Sequence, residues 1–197
     1  PSLMFWTYKA EGKSKANLNA HFREMFILMP DLAYEDAAPT ENFWFDAASP
    51  VPVFLGRTGW NDDALFLGVK GGKAASSHGH MDAASFVFDA LGERWAFDLG
   101  AQDYHSLEKL GMEIWSFRQN SDRWKVFRYN NHSHNILTIN GELVNADADV
   151  KITGVRTGKD DFGATLDASG LYSPALRSAV RDISVVGGKK LRVIDRI

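Results

Sequence analysis

Five of the six histidines lie between residues 78 and 134, and four of them form two His-x-His pairs, His78-Gly79-His80 and His132-Ser133-His134. In an extended chain, residues two apart leave the same face, so each pair is expected to project two imidazoles in one direction. Neutral imidazole is a common ligand of zinc-type ions, and a carboxylate completes such a site. Two carboxylates are placed to do so: Asp98, which ends a strand pattern just before Gly100, and Asp82, at the same two-residue step after the first pair. Spacing alone leaves two readings open, scattered hydrogen-bonding histidines at strand ends or a metal or catalytic cluster. The chain has no cysteine, so disulfides and thiolate ligands are excluded and any metal must sit on His and carboxylate.

Two other chemistries can be set aside. In Gly68-Val69-Lys70-Gly71-Gly72-Lys73-Ala74 only three residues separate Gly68 from Gly72 where a phosphate-binding loop has four, and Ala74 replaces its Ser or Thr. No Ser stands in a Gly-x-Ser-x-Gly elbow, so a serine triad lacks its motif.

The elements that must position these residues read mainly as β. Short stretches with two-residue alternation occur at 53–55, 64–69, 84–89, 95–98, 136–139 and 150–155, and a last one runs from Leu191 to Ile197. Turn signals separate them at Leu91-Gly92-Glu93, Asn140-Gly141, Gly158 to Asp161 and Gly187-Gly188. Asn140-Gly141 is the strongest hairpin signal, because both central positions of a type I′ turn need positive φ. Many short strands without helices between them predict an antiparallel β-sandwich or barrel. Between Tyr104 and Tyr129, the aromatic residues Trp115, Phe117, Trp124 and Phe127 are expected to cover a core, or else line a sugar-binding cleft.

The N-terminal part differs. Leu18, Phe22, Met25, Phe26 and Met29 recur at helical spacing within 16–29, and Pro30 ends that helix. An Ala-, Asp- and Pro-rich connector with Phe43, Trp44 and Phe45 follows, so the domains are placed at 1–49 and 50–197. The strand pattern at the C-terminus stops without a turn or polar tail, and the chain is expected to be a piece of a longer protein. A formal net charge of -3 argues against a general nucleic-acid binder, and no run approaches the roughly 20 apolar residues of a membrane helix. With 45% hydrophobic and 24% charged residues, the length suffices for one sizeable core.

The combination Arg57-Thr58-Gly59-Trp60, Ser77-His78-Gly79-His80-Met81-Asp82, Ala96-Phe97-Asp98-Leu99-Gly100 with Tyr104, and His134-Asn135 before the Asn140-Gly141 turn resembles, in this order, the heparinase II/III-like family. The resemblance covers roughly residues 50–197. It implies an antiparallel β-sandwich preceded by the last helical remnant of an (α/α) toroid. It also implies a polysaccharide lyase that cleaves acidic glycans such as heparan sulfate or alginate by β-elimination, outside the cytoplasm in the periplasm or medium. Matched motif by motif, His80, Asp98 and His134 would hold one zinc ion of mainly structural role, and His78 would face substrate. Tyr104 would reach the cleft as a substrate-binding or proton-transfer residue, and Lys73, Arg57 and His105 would contact a uronate or sulfate. The family's principal Tyr acid/base comes from the toroid, so the chain alone is expected to be inactive. Met81 departs from a common Pro and a long insertion precedes His132; His134 is taken over His132 as the ligand because Asn135 follows it. A non-catalytic module that binds acidic glycans and a cupin-like metal enzyme are the competing readings. The second lacks the expected Glu, since none follows His80 until Glu93.

Overall fold

The structure, a computed structural model, describes residues 40–197. The helix expected at 16–29 lies outside the described residues.

Two antiparallel meanders form the fold. The first sheet runs β1 (Phe43–Asp46), β2 (Val53–Arg57), β3 (Phe66–Lys70), β4 (Phe86–Ala90) and β5 (Glu93–Ala96), each strand paired with its sequence neighbour. The second runs β6 (Lys151–Thr157), β7 (Phe162–Asp167), β8 (Val180–Val186) and β9 (Lys190–Arg196) in the same way. Alternation then decides what is buried. Phe54, Leu67, Val69 and Phe88 of the first sheet, with Phe162, Ala164, Leu166, Ile183 and Val185 of the second, form the core of a β-sandwich. Gly56 belongs to this packing, because a Cβ there would come within 2.6 Å of the Phe162 ring.

Tight loops close two hairpins where the sequence placed them, of two residues at Leu91-Gly92 and of three at Gly187-Gly188-Lys189. Leu91 and Gly92 have φ of 56° and 76°, and Gly187 and Gly188 have 61° and 59°, the positive values of primed turns. Asn140 and Gly141 also have positive φ, 55° and 75°, and Glu142 N donates to Ile139 O at 3.0 Å. No ladder flanks that turn, however. The strand expected at 136–139 is irregular, and Asn131 beside it bonds the Thr138 hydroxyl and Glu142 O rather than a partner strand doing so.

Other expectations also change. The connector residues Phe43–Asp46 pair with β2 as an edge strand. Strands β7 and β8 went unread. Arg181 and Asp182 interrupt the apolar pattern of β8, and their charges are taken up by Asp195 and Arg156 respectively. The two sheets are also separated by a passage, residues 97–150, that holds a short helix α1 (Tyr104–Lys109) and two 3-10 turns, Asp122–Lys125 and Asn131–Ser133.

Candidate active site and metal-binding group

Three segments, one from the β3–β4 connection and two from that passage, converge at the end of the first sheet where β3 reaches Lys70. They are the 74–85 loop, the stretch from Asp98 to α1, and residues 129–135. Met81 N donates to Tyr129 O at 2.8 Å, which joins the first to the third. Tyr129 OH donates to Gln102 O at 2.7 Å and Arg128 Nη1 to Leu99 O at 2.7 Å, which joins the third to the second. Asn135 bridges two strands by donating to Phe86 O at 2.9 Å and Phe97 O at 3.1 Å. The Asn after His134 thus fixes that histidine relative to β4 and to the chain leaving β5.

The same-face expectation for the His-x-His pairs fails. His78 has φ of 58°, a left-handed conformation uncommon for a non-glycine residue and often found where function demands it. His132 and Ser133 lie in a 3-10 turn. Neither pair is extended, so their imidazoles diverge. Gly79 makes the first turn possible: a Cβ there would stand 2.2 Å from Ala74 O and 2.7 Å from Ser76 Oγ.

His78 is exposed, and its Nδ1 is 3.0 Å from Tyr104 OH. Asp103 caps α1 by accepting from Ser106 N at 2.8 Å, which sets Tyr104 as the first helical residue. Trp115, 49% exposed, meets Tyr104 and His78 edge-on at centroid distances of 5.0 and 5.9 Å. These three rings form an aromatic corner open to solvent. Trp115 was foreshadowed only as one of several aromatics in the segment, and it is held by Nε1–H donation to Glu108 at 2.9 Å.

His80 turns the other way, packing on Tyr129 at 4.7 Å and on His134 at 5.6 Å between centroids. The His134 side chain is fully buried, and its Nδ1 lies 2.5 Å from Asp98 Oδ2. Asp82 is engaged elsewhere, paired with Lys70 Nζ at 2.5 Å. Exposed His132 stands outside the group.

Burial pushes the His80 imidazole down to about 4, and nearby His134, Arg123 and Lys70 add to this while Asp82 opposes it. Burial raises the Asp98 carboxyl, but the hydrogen bonds from His134 and from Gly100 N outweigh it and leave the group below its ordinary value. At neutral pH the set therefore offers a neutral imidazole and a carboxylate. Among the described residues no three such side chains stand ready as a coordination shell, since Asp98 is closed onto His134. Yet His134 Nε2 is buried with no hydrogen-bond partner, an orphaned atom of the kind that a ligand satisfies. In donor type and in this free nitrogen, the group fits a zinc-type ion.

The remaining sequence candidates are not gathered here. Lys73 is exposed just before the 74–85 loop, and His105 is exposed beside Tyr104 on α1. Arg57 stacks on Trp60 at 3.8 Å, at the far end of β3 from Lys70, beside a cavity of about 520 Å³ that Asp89 and Arg94 also line.

The sequence model of the heparinase II/III-like C-terminal family matches residues 55–197. The chain belongs to the heparinase II/III-like family. Solved structures similar to this heparinase II/III-like domain include a heparinase III, at 16% identity and a TM-score of 0.59 over 83% of this chain and 23% of that one. The heparan sulfate lyase HepC from Pedobacter heparinus is 18% identical with a TM-score of 0.57, over 80% of this chain and 22% of that one. The heparinase III BT4657 gene product, with methylated lysines, is 17% identical with a TM-score of 0.58, over 82% and 22%. At such identities the likeness establishes the fold, and the chain spans less than a quarter of each structure's length. No curated protein matches significantly.

The depressed His80 gives a test of its surroundings. Its folded value lies below the roughly 6.5 of an unfolded histidine, so the unfolded chain binds the extra proton first as pH falls. With metal removed by chelation, the melting temperature is expected to fall as pH drops from about 6.5 toward 4. His80→Gln should flatten that slope. Asp98 acts in the same direction only at lower pH, because its depressed value keeps its contribution until pH falls below the ordinary carboxylate range. An unchanged slope in the variant would locate the titrating group elsewhere.

Proposed function

We propose that this domain is part of a polysaccharide lyase that cleaves uronate-containing acidic glycans by β-elimination. His78 and Tyr104 face the substrate, and His80, Asp98 and His134 hold a structural zinc ion. The observation that carries the reading is the solvent-open His78–Tyr104 pair, 3.0 Å between Nδ1 and OH, set on a strained backbone and walled by Trp115.

The chemistry suits that pair. A base takes the C5 proton of the uronate, negative charge builds on its carboxylate, the C4–O bond breaks as C4=C5 forms, and an acid protonates the leaving oxygen. When Tyr104 donates its hydroxyl proton to Nδ1, the neutral His78 ring carries its own proton on Nε2, a donor for the carboxylate where charge develops. When His78 is protonated instead, Nδ1–H donates to the tyrosine oxygen and frees the phenol proton for the leaving group. Either state gives one hydrogen-bonded unit that can steady charge and pass a proton. Lys73 and His105, exposed nearby in sequence, are assigned to the anionic substrate, as is Arg57 at a more distant subsite.

Zinc, when bound, supplies a rigid cross-link between the three converging segments and so steadies the loop that presents His78. The parent's N-terminal toroid completes the cleft with its own acid/base, so the isolated domain is inactive. A location in the periplasm or outside the cell is supported by the polymeric acidic substrate proposed here and by the family resemblance.

The test is direct. The full-length parent, incubated with heparan sulfate, alginate and other uronate polymers, is expected to generate the ultraviolet absorbance of an unsaturated uronate on at least one of them. Binding without any such absorbance across the panel would favour a glycan-binding module and sink the lyase assignment.

A further inference from the structure

We infer that Arg123 is a positioning residue for the His78–Tyr104 pair; this rests on the reading of that pair as the substrate-facing group. Arg123 is fully buried, a costly place for a permanent cation. Its polar contacts among the described residues are carbonyl oxygens. Nε and Nη2 both donate to Gly79 O, at 3.1 and 2.8 Å, and Nη1 donates to Ile114 O at 2.9 Å. Aromatic faces enclose the remainder, with Tyr129 at 4.5 Å and Phe117 at 4.9 Å from the guanidinium carbon.

Those contacts reach both sides of the aromatic corner. Gly79 O belongs to the peptide that follows the left-handed His78–Gly79 step, so the two-pronged bond fixes the plane against which His78 is held. Ile114 O belongs to the peptide that leads into Trp115, whose ring abuts both His78 and Tyr104. The stacked Tyr129 donates to Gln102 O, two residues before Tyr104. One planar fork thus references three backbone segments to each other. A neutral side chain of similar volume would fill the space more cheaply but could not hold two carbonyls from separate segments. Lysine, a point charge with no fixed plane, could not reproduce the fork either.

The experiment combines kinetics and a spectroscopic signal. In the full-length enzyme, Arg123→Lys is expected to lower kcat by roughly 10- to 100-fold with KM within about twofold. The same change in a His78→Ala background should cost little more, since a residue acting through another is non-additive with it. Equal losses in both backgrounds, or a loss in KM alone, would overturn the inference. Independently of turnover, the 197-residue chain labelled with 3-fluorotyrosine reports Tyr104, assigned by its loss in Tyr104→Phe. Arg123→Lys should move this fluorine resonance in the direction that His78→Ala moves it; an unmoved resonance counts against the role. If His78→Ala retains full turnover, the reading of the pair fails, and the fluorine shift still decides whether Arg123 positions Tyr104. Should Arg123→Lys not fold, Arg123→Gln is read the same way. Failure of both to fold would make Arg123 a fold determinant and overturn the positioning role.

Discussion

In the full-length enzyme, His78→Ala is expected to reduce turnover by roughly 10²-fold or more, the scale lost when a positioned acid/base or charge-stabilising group is removed. Zinc content and melting temperature should stay close to those of the parent. The reason for this split is geometric. The His78 ring is exposed and touches Tyr104 and Trp115, while the proposed metal ligands His80, Asp98 and His134 make their contacts with one another and with Tyr129. Backbone strain needs a separate control, because residue 78 has φ of 58°. Asn tolerates that conformation better than Ala, so His78→Asn should lose turnover equally while keeping the loop. The readout is the absorbance of unsaturated uronate beside zinc analysis of the same preparation. Retained turnover, or zinc lost together with activity, would show that His78 has been given the wrong role.

The second large effect concerns stability. His134→Ala removes a side chain with no exposed surface and leaves the Asp98 carboxylate without its closest partner. Loss of a buried charge-assisted hydrogen bond together with its packing costs on the order of 2 to 4 kcal/mol. Two remaining donors would also hold zinc weakly, so metal content and melting should fall together. The exposed His132 is the control, and His132→Ala is expected to change stability by less than about 0.5 kcal/mol. If the metal is instead lost in His132→Ala and kept in His134→Ala, the ligand assignment reverses.

Much of this molecule could be read from its sequence, and the failures have physical causes. Positive-φ turns at Leu91-Gly92, Asn140-Gly141 and Gly187-Gly188 were legible because their chemistry is local. Strand β8 was not, since Arg181 and Asp182 look like solvated charges until Asp195 and Arg156 arrive from other strands. His80 and Asp98 both lie against His134, although among the described residues no three such side chains form a ready metal-holding group. The reason offered for two imidazoles per pair was wrong: a same-face strand was assumed, whereas a left-handed residue and a 3-10 turn send the rings to different destinations. Arg123 carried no local signal at all. A lone arginine between aromatic residues reads as surface, and only the arrival of Gly79 O and Ile114 O from distant sequence gives it a purpose.

Each sheet is a meander in which every strand pairs with its immediate neighbour in sequence, and this bears on how the domain assembles. Such pairings close short loops, which keeps their entropic cost low and favours fast folding for an all-β chain. Contacts such as Arg181 Nη1 with Ala84 O and Asn135 O span 97 and 46 residues and can form only once both meanders exist. The part of the 97–150 passage that Arg181 ties down at Asn135 is therefore expected to settle late, on sheets whose strand order does not depend on it. Sequence drift in that passage can retune the Tyr104 and Trp115 side of the aromatic corner while the two sheets go on folding by their own local rules.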